Sequence, residues 1–475
     1  MTARFVVAGT HSGVGKTTVA TGLMAAFAGR GRKVAGFKVG PDFIDPSYHA
    51  LATGRPGRNL DAFMSGPDLI APLFAHGATG ADLAIVEGVM GMFDGASGSG
   101  ELASTAQVAK LLRAPVVLVL DCSAMARSVA ALVHGFVGFD PEVTVAGVIL
   151  NRVGSDRHES LLREALRPSG LPVLGALHRR AALATPERHL GLVPVAERTI
   201  DASHTVAELA AAVAGACDLD AIESVASAAP SLTATPWDPT STRGQEVAEG
   251  DASPVQVRLG VASGPAFSFL YQENLELLEA AGAELAPLDP TRDGRLPDGI
   301  SGLYLGGGFP ETYAEALSAN QPLRLAVREF AAGGAPVIAE CGGLLYLARS
   351  LDEHPMCGVL EADGRMTGRL TLGYRRAAAA AASSLADIGT LARGHEFHYS
   401  EVVPAAGAGG GASGASAAWL LDGDRREGFV TGGVHASYLH THWAAFPATA
   451  RHLVAAAREH AARSGGIRSG SHGAG

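Results

Sequence analysis

The run Phe5-Val6-Val7-Ala8 leads directly into Gly9-Thr10-His11-Ser12-Gly13-Val14-Gly15-Lys16-Thr17-Thr18, and an alanine-rich helical stretch follows. A buried strand, a glycine loop and a helix in that order leave few folds open, because such a loop works at the carboxyl end of a parallel strand. Freed of side chains by glycine, successive backbone N–H groups at a helix N-terminus point at phosphate oxygens. Gly13 and Gly15 supply that freedom, Lys16 reaches the terminal phosphates, and Thr17 offers a hydroxyl to Mg²⁺, with Thr18 beside it as a further nucleotide contact. The strict pattern has glycine at position 10, where this chain has Thr10; Gly9 lies one residue further back.

The same strand-and-helix rhythm continues. Val/Ile/Leu runs at 5–8, 33–38, 83–87, 115–121 and 145–150 predict buried parallel strands, with helices at 18–28, 105–112 and 128–136, and a helix at 206–215 closing the series. Between about 224 and 254 Pro, Ser and Thr dominate and the periodicity stops, which predicts a linker. A second series begins at Val257, with strands predicted at 258–262, 302–305 and 336–339 and helices at 273–281 and 323–332. The expectation is α/β throughout: two three-layer domains, a P-loop doubly wound sheet over 1–223 and a second α/β domain over 255–462, joined by 224–254. Residues 377–382 and 405–418 are Ala/Gly-rich and read as surface loops, and 463–475 as a disordered tail.

A chain of 475 residues exceeds one ordinary core. Lys plus Arg number 37 against 47 Asp plus Glu, and a net charge of −10 argues against a nonspecific nucleic-acid binder. No uncharged apolar run is long enough to cross a bilayer. The N-terminus enters a core strand without the features of a cleaved signal, so a cytoplasmic protein is expected. Cys122, Cys217, Cys341 and Cys357 are far apart with no CxxC pair, which fits a reducing compartment and neither a disulfide framework nor a zinc site.

Magnesium takes further oxygen ligands, and two carboxylates follow strand ends: Asp45 in Gly40-Pro41-Asp42-Phe43-Ile44-Asp45-Pro46 and Glu87 in Val86-Glu87-Gly88-Val89-Met90. Each has a rival reading as a cap or turn carboxylate. Asn151, ending another strand, either reads a purine with its amide or caps its turn. In the second half, Ala339-Glu340-Cys341-Gly342-Gly343 stands between a β-rich run and Leu344-Leu345-Tyr346-Leu347. A cysteine on such an elbow lies at a helix N-terminus, where the dipole and an imidazole favour thiolate, the nucleophilic form. Gly342 N–H and the loop Gly306-Gly307-Gly308 are candidate oxyanion donors, and His435, His440 and His442 candidate bases. A lone cysteine is otherwise a packing residue, and the histidine cluster has a metal reading. Glu396, between His395 and His398, either orients an imidazole or pins a loop.

The GTxxxVGKT loop resembles the dethiobiotin-synthetase branch of P-loop proteins. Taken with FKVGPDFIDPSYH, GRPGRNLD, VEGVMGMFDG, LGGGFPETY, AECGGLLYL, GHEFHYS and ASYLHTHW, the chain is similar over nearly its whole length to the cobyrinate/hydrogenobyrinate a,c-diamide synthase family of cobalamin biosynthesis. The resemblance implies an ATP-binding synthetase domain and a class I glutamine amidotransferase domain. It implies that L-glutamine is hydrolysed at Cys341 with His440 activating the thiol, that ATP and Mg²⁺ activate the a- and c-acetates of a corrinoid polycarboxylate as acyl phosphates, and that ammonia converts these to amides. One departure is Ala339, where many class I amidotransferases have glycine.

A carboxylate is inert to ammonia until its oxygen becomes a good leaving group, and ammonia at neutral pH is mostly ammonium, so both sites are needed. Lys38, Arg55, Arg58, Arg127 and Arg152 are candidate cations for the macrocycle. The Ala-, Gly- and Arg-rich composition reads as a high-GC source and tilts the expectation to the metal-free macrocycle. A homodimer is compatible with the chain. Two rivals stand: an amidating synthetase for another tetrapyrrole or a cobyric-acid precursor, and an ATPase switch whose second domain has lost catalysis.

Overall fold

Strand β1 (Ala3–Gly9) feeds the glycine loop, and Gly15, at φ 97°, caps helix α1 (Lys16–Gly29). Val19, Ala20, Thr21, Gly22, Leu23, Met24, Ala26 and Phe27 are all buried, so α1 is enclosed on nearly every side. The structure is a computed structural model that describes residues 2–179, 187–188, 191–192, 195–197, 199–241, 257–409 and 414–469. The chain divides into two units, Met1–Trp237 and Asp238–Gly475.

In the first unit the chain continues through β2 (Val34–Val39), α2 (Ile44–Thr53), β3 (Arg58–Leu60), α3 (Pro67–Gly77), β4 (Leu83–Glu87), α4 (Thr105–Leu111), β5 (Val116–Asp121), α5 (Ser128–Gly138), β6 (Val145–Val153), α6 (Asp156–Leu166) and β7 (Val173–His178). A short pair, β8 (Glu187–Arg188) and β9 (Gly191–Leu192), precedes α7 (Thr199–Ala216) and α8 (Leu219–Ser227). The main sheet runs β3-β2-β4-β1-β5-β6-β7 with every neighbour parallel. Its strands read as continuous apolar runs because both faces are covered. The predicted strands and helices fall on these elements; α2, β3, α3, α6, β7, β8, β9 and α8 are additional.

The second unit opens with β10 (Val257–Ala262), α9 (Gln272–Ala280), β11 (Ala283–Leu288), β12 (Gly302–Leu305), α10 (Ala314–Ala319), α11 (Gln321–Ala332), β13 (Val337–Glu340) and α12 (Gly342–Leu347). A β-rich stretch follows: β14 (Ser350–Leu351), β15 (His354–Pro355), β16 (Asp363–Ala379), β17 (Leu391–Val403), β18 (Trp419–Leu421), β19 (Arg425–Glu427), β20 (Phe429–Thr431), β21 (Val434–Ser437) and β22 (His440–Thr441), before the closing helix α13 (Ala448–Ser469). The central sheet is ordered β11-β10-β12-β13-β21-β20 and is parallel except for its last pair. A second, largely antiparallel sheet runs β15-β14-β16-β17-β22, with β18 beside β16 and β19 beside β18. The chain passes from one sheet to the other within Tyr438-Leu439, which places His440 at the junction, opposite His395.

Two compositional readings, 377–382 and 405–418, are corrected in part: the first is strand as far as Ala379, and the second is irregular as read but partly buried. Ala377–Ala379 are not loop: they end β16, pair with β17 and β18, and bury Ala377 and Ala379. Within 405–418, Ala415, Ala417 and Ala418 are buried and Ser416 bridges Val430; residues 410–413 lie outside the described residues. Alanine is small enough for close strand contacts, so low complexity did not mean exposure here. The expected tail begins inside α13, which runs to Ser469; 470–475 lie outside the described residues.

The expected linker 224–254 begins inside α8, and 242–254 lie outside the described residues. Its stretch from Pro230 to Trp237 lies along the first unit. Buried Arg4 donates from Nε to Leu112 O at 2.7 Å and from Nη2 to Pro230 O at 2.5 Å. Trp237 N donates to Pro72 O at 2.9 Å, and its ring meets His76 edge-on at 5.1 Å. Arg4→Ala should cost about 2–4 kcal/mol, the worth of charged hydrogen bonds to carbonyls left buried. It should also open a protease site between 228 and 241. A melting temperature and a digestion pattern equal to those of the parent would refute this.

Candidate functional site

Because the first sheet is parallel, the carboxyl ends of its strands share one edge, and the sequence-derived nucleotide residues gather there. Gly13 and Gly15 adopt φ of 78° and 97°, conformations open to glycine. Lys16 Nζ donates to His11 O at 3.0 Å and to Met90 O at 2.5 Å, folding over the loop where a phosphate would lie. Burial first, then repulsion by Lys38, lower the Lys16 pKa to about 8. Thr18 lies half-buried in the first turn of α1. Asn151 braces the loop: Nδ2 donates to Val14 O at 2.8 Å, and a Cβ on Gly15 would come within 2.2 Å of that nitrogen.

Three oxygens converge behind the loop. Thr17 Oγ1 donates to Glu87 Oε1 at 2.6 Å and lies 3.3 Å from Asp45 Oδ2. A hydroxyl and two carboxylates form a hard-oxygen set that fits Mg²⁺. Lys38 Nζ sits between the same carboxylates, 2.5 Å from Asp45 Oδ2 and 2.8 Å from Glu87 Oε1. Such a buried pair of carboxylates calls for a cation. Burial would raise the Glu87 carboxyl, but Lys38 and His49 prevail and hold it below the usual range. For Asp45, burial and then Asp42 raise the carboxyl in spite of Lys38. His49, 0 % exposed, reaches Glu87 Oε2 at 2.7 Å from Nε2. Sequence reasoning missed His49, although it lies four residues after Asp45 on α2, a spacing that shares a helix face.

The candidate macrocycle cations separate. Lys38 is spent on Asp45 and Glu87, Arg55 donates from Nη2 to Gly77 O and Thr79 O, and Arg152 pairs with Asp121. Arg58 is buried and Arg127 exposed.

In the second unit Cys341 stands between β13 and α12 with φ 49° and ψ −99°, a left-handed elbow no ordinary residue adopts without strain. Cys341 N donates to Ser437 O at 2.7 Å, and Gly343 N to Gly306 O at 3.0 Å. A Cβ on Gly342 would lie 3.0 Å from Gly308 N, so the elbow presses on the glycine loop after β12. Ring and loop meet there too: a Cβ on Gly307 would lie 2.4 Å from His440 Cε1. The structure thus gathers Cys341, Gly306–Gly308 and His440 about one loop.

The three clustered histidines diverge. His435 Nδ1 is 3.0 Å from Ser383 Oγ, with its ring edge-on to Trp419, and His442 Nε2 lies 3.4 Å from Glu273 Oε2. Glu396 does both things its position suggested: Oε2 accepts from Arg375 at 2.5 Å and Arg425 at 2.6 Å, and Oε1 lies 3.9 Å from His398 Nε2, whose ring stacks on Tyr438 at 3.7 Å.

The expected thiolate is corrected. Burial, then Glu311, push the Cys341 thiol well above its ordinary range. Burial, with His395 and His398 nearby, lowers His440 to about 3. Burial thus favours the neutral form of both groups, which adjoin the same glycine loop. Glu340 also escaped the sequence reading, although a charge ending the run Val337-Ile338-Ala339 is itself a signal. It is buried, and Oε1 accepts from Thr441 N at 3.2 Å and Thr441 Oγ1 at 2.9 Å, while Oε2 accepts from Tyr304 OH at 3.0 Å.

Comparison with known proteins agrees with this layout. Residues 5–193 match the CobQ/CobB/MinD/ParA nucleotide binding domain, and residues 258–448 the CobB/CobQ-like glutamine amidotransferase domain. A Streptomyces coelicolor protein named hydrogenobyrinate a,c-diamide synthase is 57% identical over 95% of this chain and 96% of its own length. A Mycobacterium tuberculosis protein of the same name is 48% identical over 94% of this chain and 96% of its own length. A Gloeobacter violaceus protein named cobyrinate a,c-diamide synthase is 44% identical over the same shares.

Gly307→Ala should displace His440 and lower glutamine hydrolysis by at least about tenfold, since small misplacements of reacting groups cost that much. Parent-like hydrolysis in the folded variant would show that the contact is unimportant. Cys341 of the free protein should react with iodoacetamide more slowly at neutral pH than an exposed cysteine, and faster as pH rises, which peptide mass mapping would read out.

Proposed function

This chain belongs to the hydrogenobyrinate/cobyrinate a,c-diamide synthase family, and from that premise we propose that it uses ATP and glutamine to amidate the a- and c-acetate carboxylates of hydrogenobyrinic acid. The observation that carries this reading is a strained cysteine elbow and an imidazole that both adjoin one glycine loop, in the same chain as a P-loop backed by two carboxylates. The name of the Streptomyces relative, at higher identity than the cobyrinate-named one, supports the metal-free macrocycle.

At the thiol site, Cys341 Sγ attacks the side-chain amide carbon of glutamine as its proton passes to His440. Gly342 N–H and Gly308 N–H are the donors we assign to the developing oxyanion. As the adduct collapses, the leaving nitrogen takes the proton held by His440 and departs as ammonia, and water hydrolyses the thioester to glutamate and the free thiol. Starting from a neutral pair, the site avoids holding a buried thiolate before substrate arrives.

At the nucleotide site, the loop amides of Gly13 and Gly15 and the Lys16 ammonium hold the phosphates, with Thr18 beside them. Asn151 supports the loop from β6. Thr17, Asp45 and Glu87 would hold Mg²⁺, which neutralises phosphate charge. A carboxylate oxygen of the macrocycle attacks the terminal phosphorus and ADP leaves. Ammonia then attacks the acyl carbon, phosphate departs and an amide remains. Among the described residues no helix is long and apolar enough to cross a membrane, which is compatible with the cytoplasmic location we propose. A homodimer is compatible with the scheme but not required by it.

Cys341→Ala should abolish glutamine-supported amidation while added ammonium salt still sustains slow turnover, as followed by product mass. Failure of both nitrogen sources in a folded variant would overturn the two-site scheme. Lys16→Ala should reduce amidation on the order of 10²–10³-fold while sparing part of the glutamine hydrolysis. Persistent amidation would remove the P-loop from the reaction.

A further inference from the structure

We propose that Glu340 is a positioning residue for glutamine hydrolysis, its carboxylate holding the backbone of His440 in register with that of Cys341 through Thr441. The inference rests on the reading of Cys341 and His440 as nucleophile and base. Each of them has one member of this contact as its immediate neighbour in the chain: Glu340 precedes Cys341 at the end of β13, and Thr441 follows His440 at the end of β22. Two strands of different sheets, far apart in sequence, are thereby tied at the two residues adjoining the chemistry.

The direction of the hydrogen bonds identifies the form of the carboxyl. Trp443 Nε1, an indole N–H that can only donate, gives its proton to Thr441 Oγ1 at 2.9 Å, and Thr441 Oγ1 gives its own to Glu340 Oε1 at 2.9 Å. On the other side, Asn274 Nδ2 donates to Tyr304 OH at 3.2 Å, and Tyr304 OH donates to Glu340 Oε2 at 3.0 Å. Asn274 closes the ring, since Nδ2 also donates to Thr441 O at 3.0 Å and Oδ1 accepts from Trp443 N at 2.8 Å. Both chains start on nitrogen donors, pass through a hydroxyl and end on Glu340, so each carboxylate oxygen is an acceptor and the group works as the anion.

Glu340, Thr441, Asn274, Tyr304 and Trp443 are all buried. A β-run that needed only packing would end as it began, on an apolar residue like Val337, Ile338 or Ala339. A base must be held within hydrogen-bond reach of its nucleophile and is commonly oriented by a third group. Here the orientation reaches the imidazole through its neighbouring residue.

The groups facing Glu340 are Tyr304 from β12, Thr441 from β22, Asn274 from α9, Trp443 beyond β22 and Cys341 beside it, with Tyr271 behind Tyr304. Burial raises the Glu340 carboxyl to about 7 against the hydrogen bonds of Thr441 and Tyr304. A raised acid loses its anion as pH falls through that value, so the network and glutamine hydrolysis decline together on the acid side. His440, lowered to about 3, titrates elsewhere.

Steady-state glutamine hydrolysis by the full-length protein, measured from about pH 5 to 9, tests this. Glu340→Gln keeps the shape but turns one donor-bound oxygen into an N–H₂. It should lower kcat about 10²-fold with little change in the glutamine KM, abolish the acid limb near neutrality and leave the melting temperature close to that of the parent. Thr441→Val should lower kcat about tenfold, and the double variant should be no worse than Glu340→Gln alone, as expected for two groups acting as one unit. If Glu340→Gln does not fold, Thr441→Val decides: a parent-like kcat and acid limb would overturn the proposal. So would a parent-like Glu340→Gln alongside an inactive Cys341→Ala, which leaves the reading of the site intact. Hydrolysis surviving in Cys341→Ala would instead overturn that reading itself.

Discussion

Parallel strand pairing is the constraint on which both candidate sites depend. In a parallel sheet every strand ends on the same edge, so loops from distant parts of the chain meet there. That is why Lys16 and Thr17 after β1, Lys38 on β2 and Glu87 closing β4 come together, although up to 71 residues separate them. It is also why the Cys341 elbow after β13 lies against the glycine loop after β12. The antiparallel sheet adds what parallel pairing alone does not: β22, one turn beyond β21, brings His440 over Gly307.

Buried charge is concentrated at these edges. Glu87 is 0 % exposed, and Lys38, His49 and Thr17 surround it. Removing one partner from such a group leaves a charge without compensation and costs about 3–5 kcal/mol, whereas an apolar replacement of the whole set is often neutral. The network is therefore poorly explained as a stabilising device and is compatible with the cation and phosphate site proposed above. Glu427 makes a similar case in the second unit: buried, it accepts from Ser437 Oγ at 2.6 Å and Tyr438 N at 2.8 Å, clamping the turn that leads to His440.

The electrostatics of the two units differ in kind. The first gathers ions, with Lys38 between two carboxylates. The second suppresses ionisation at its centre, where burial keeps the Cys341 thiol protonated and His440 neutral, and displaces charge one residue outward to Glu340. In the proposed scheme, in which one proton passes from sulfur to nitrogen and on to the leaving nitrogen, a neutral start means that no buried ion has to be stabilised while the site waits.

The motif loops and the alternating apolar runs were legible in the amino-acid order, because glycine freedom, strand hydrophobicity and helical spacing are local properties. They determined the P-loop, the cysteine elbow, two α/β units and the residue types able to do the chemistry. The antiparallel sheet was not legible: β16 and β17 carry mixed side chains such as Arg375 and Glu396, whose burial depends on partners tens of residues away. Nor did spacing decide among His435, His440 and His442, which lie within eight residues of each other. Only tertiary structure separated them, because the chain changes sheets between Ser437 and His440 and each imidazole then faces a different neighbour: Ser383, the Gly307 loop or Glu273.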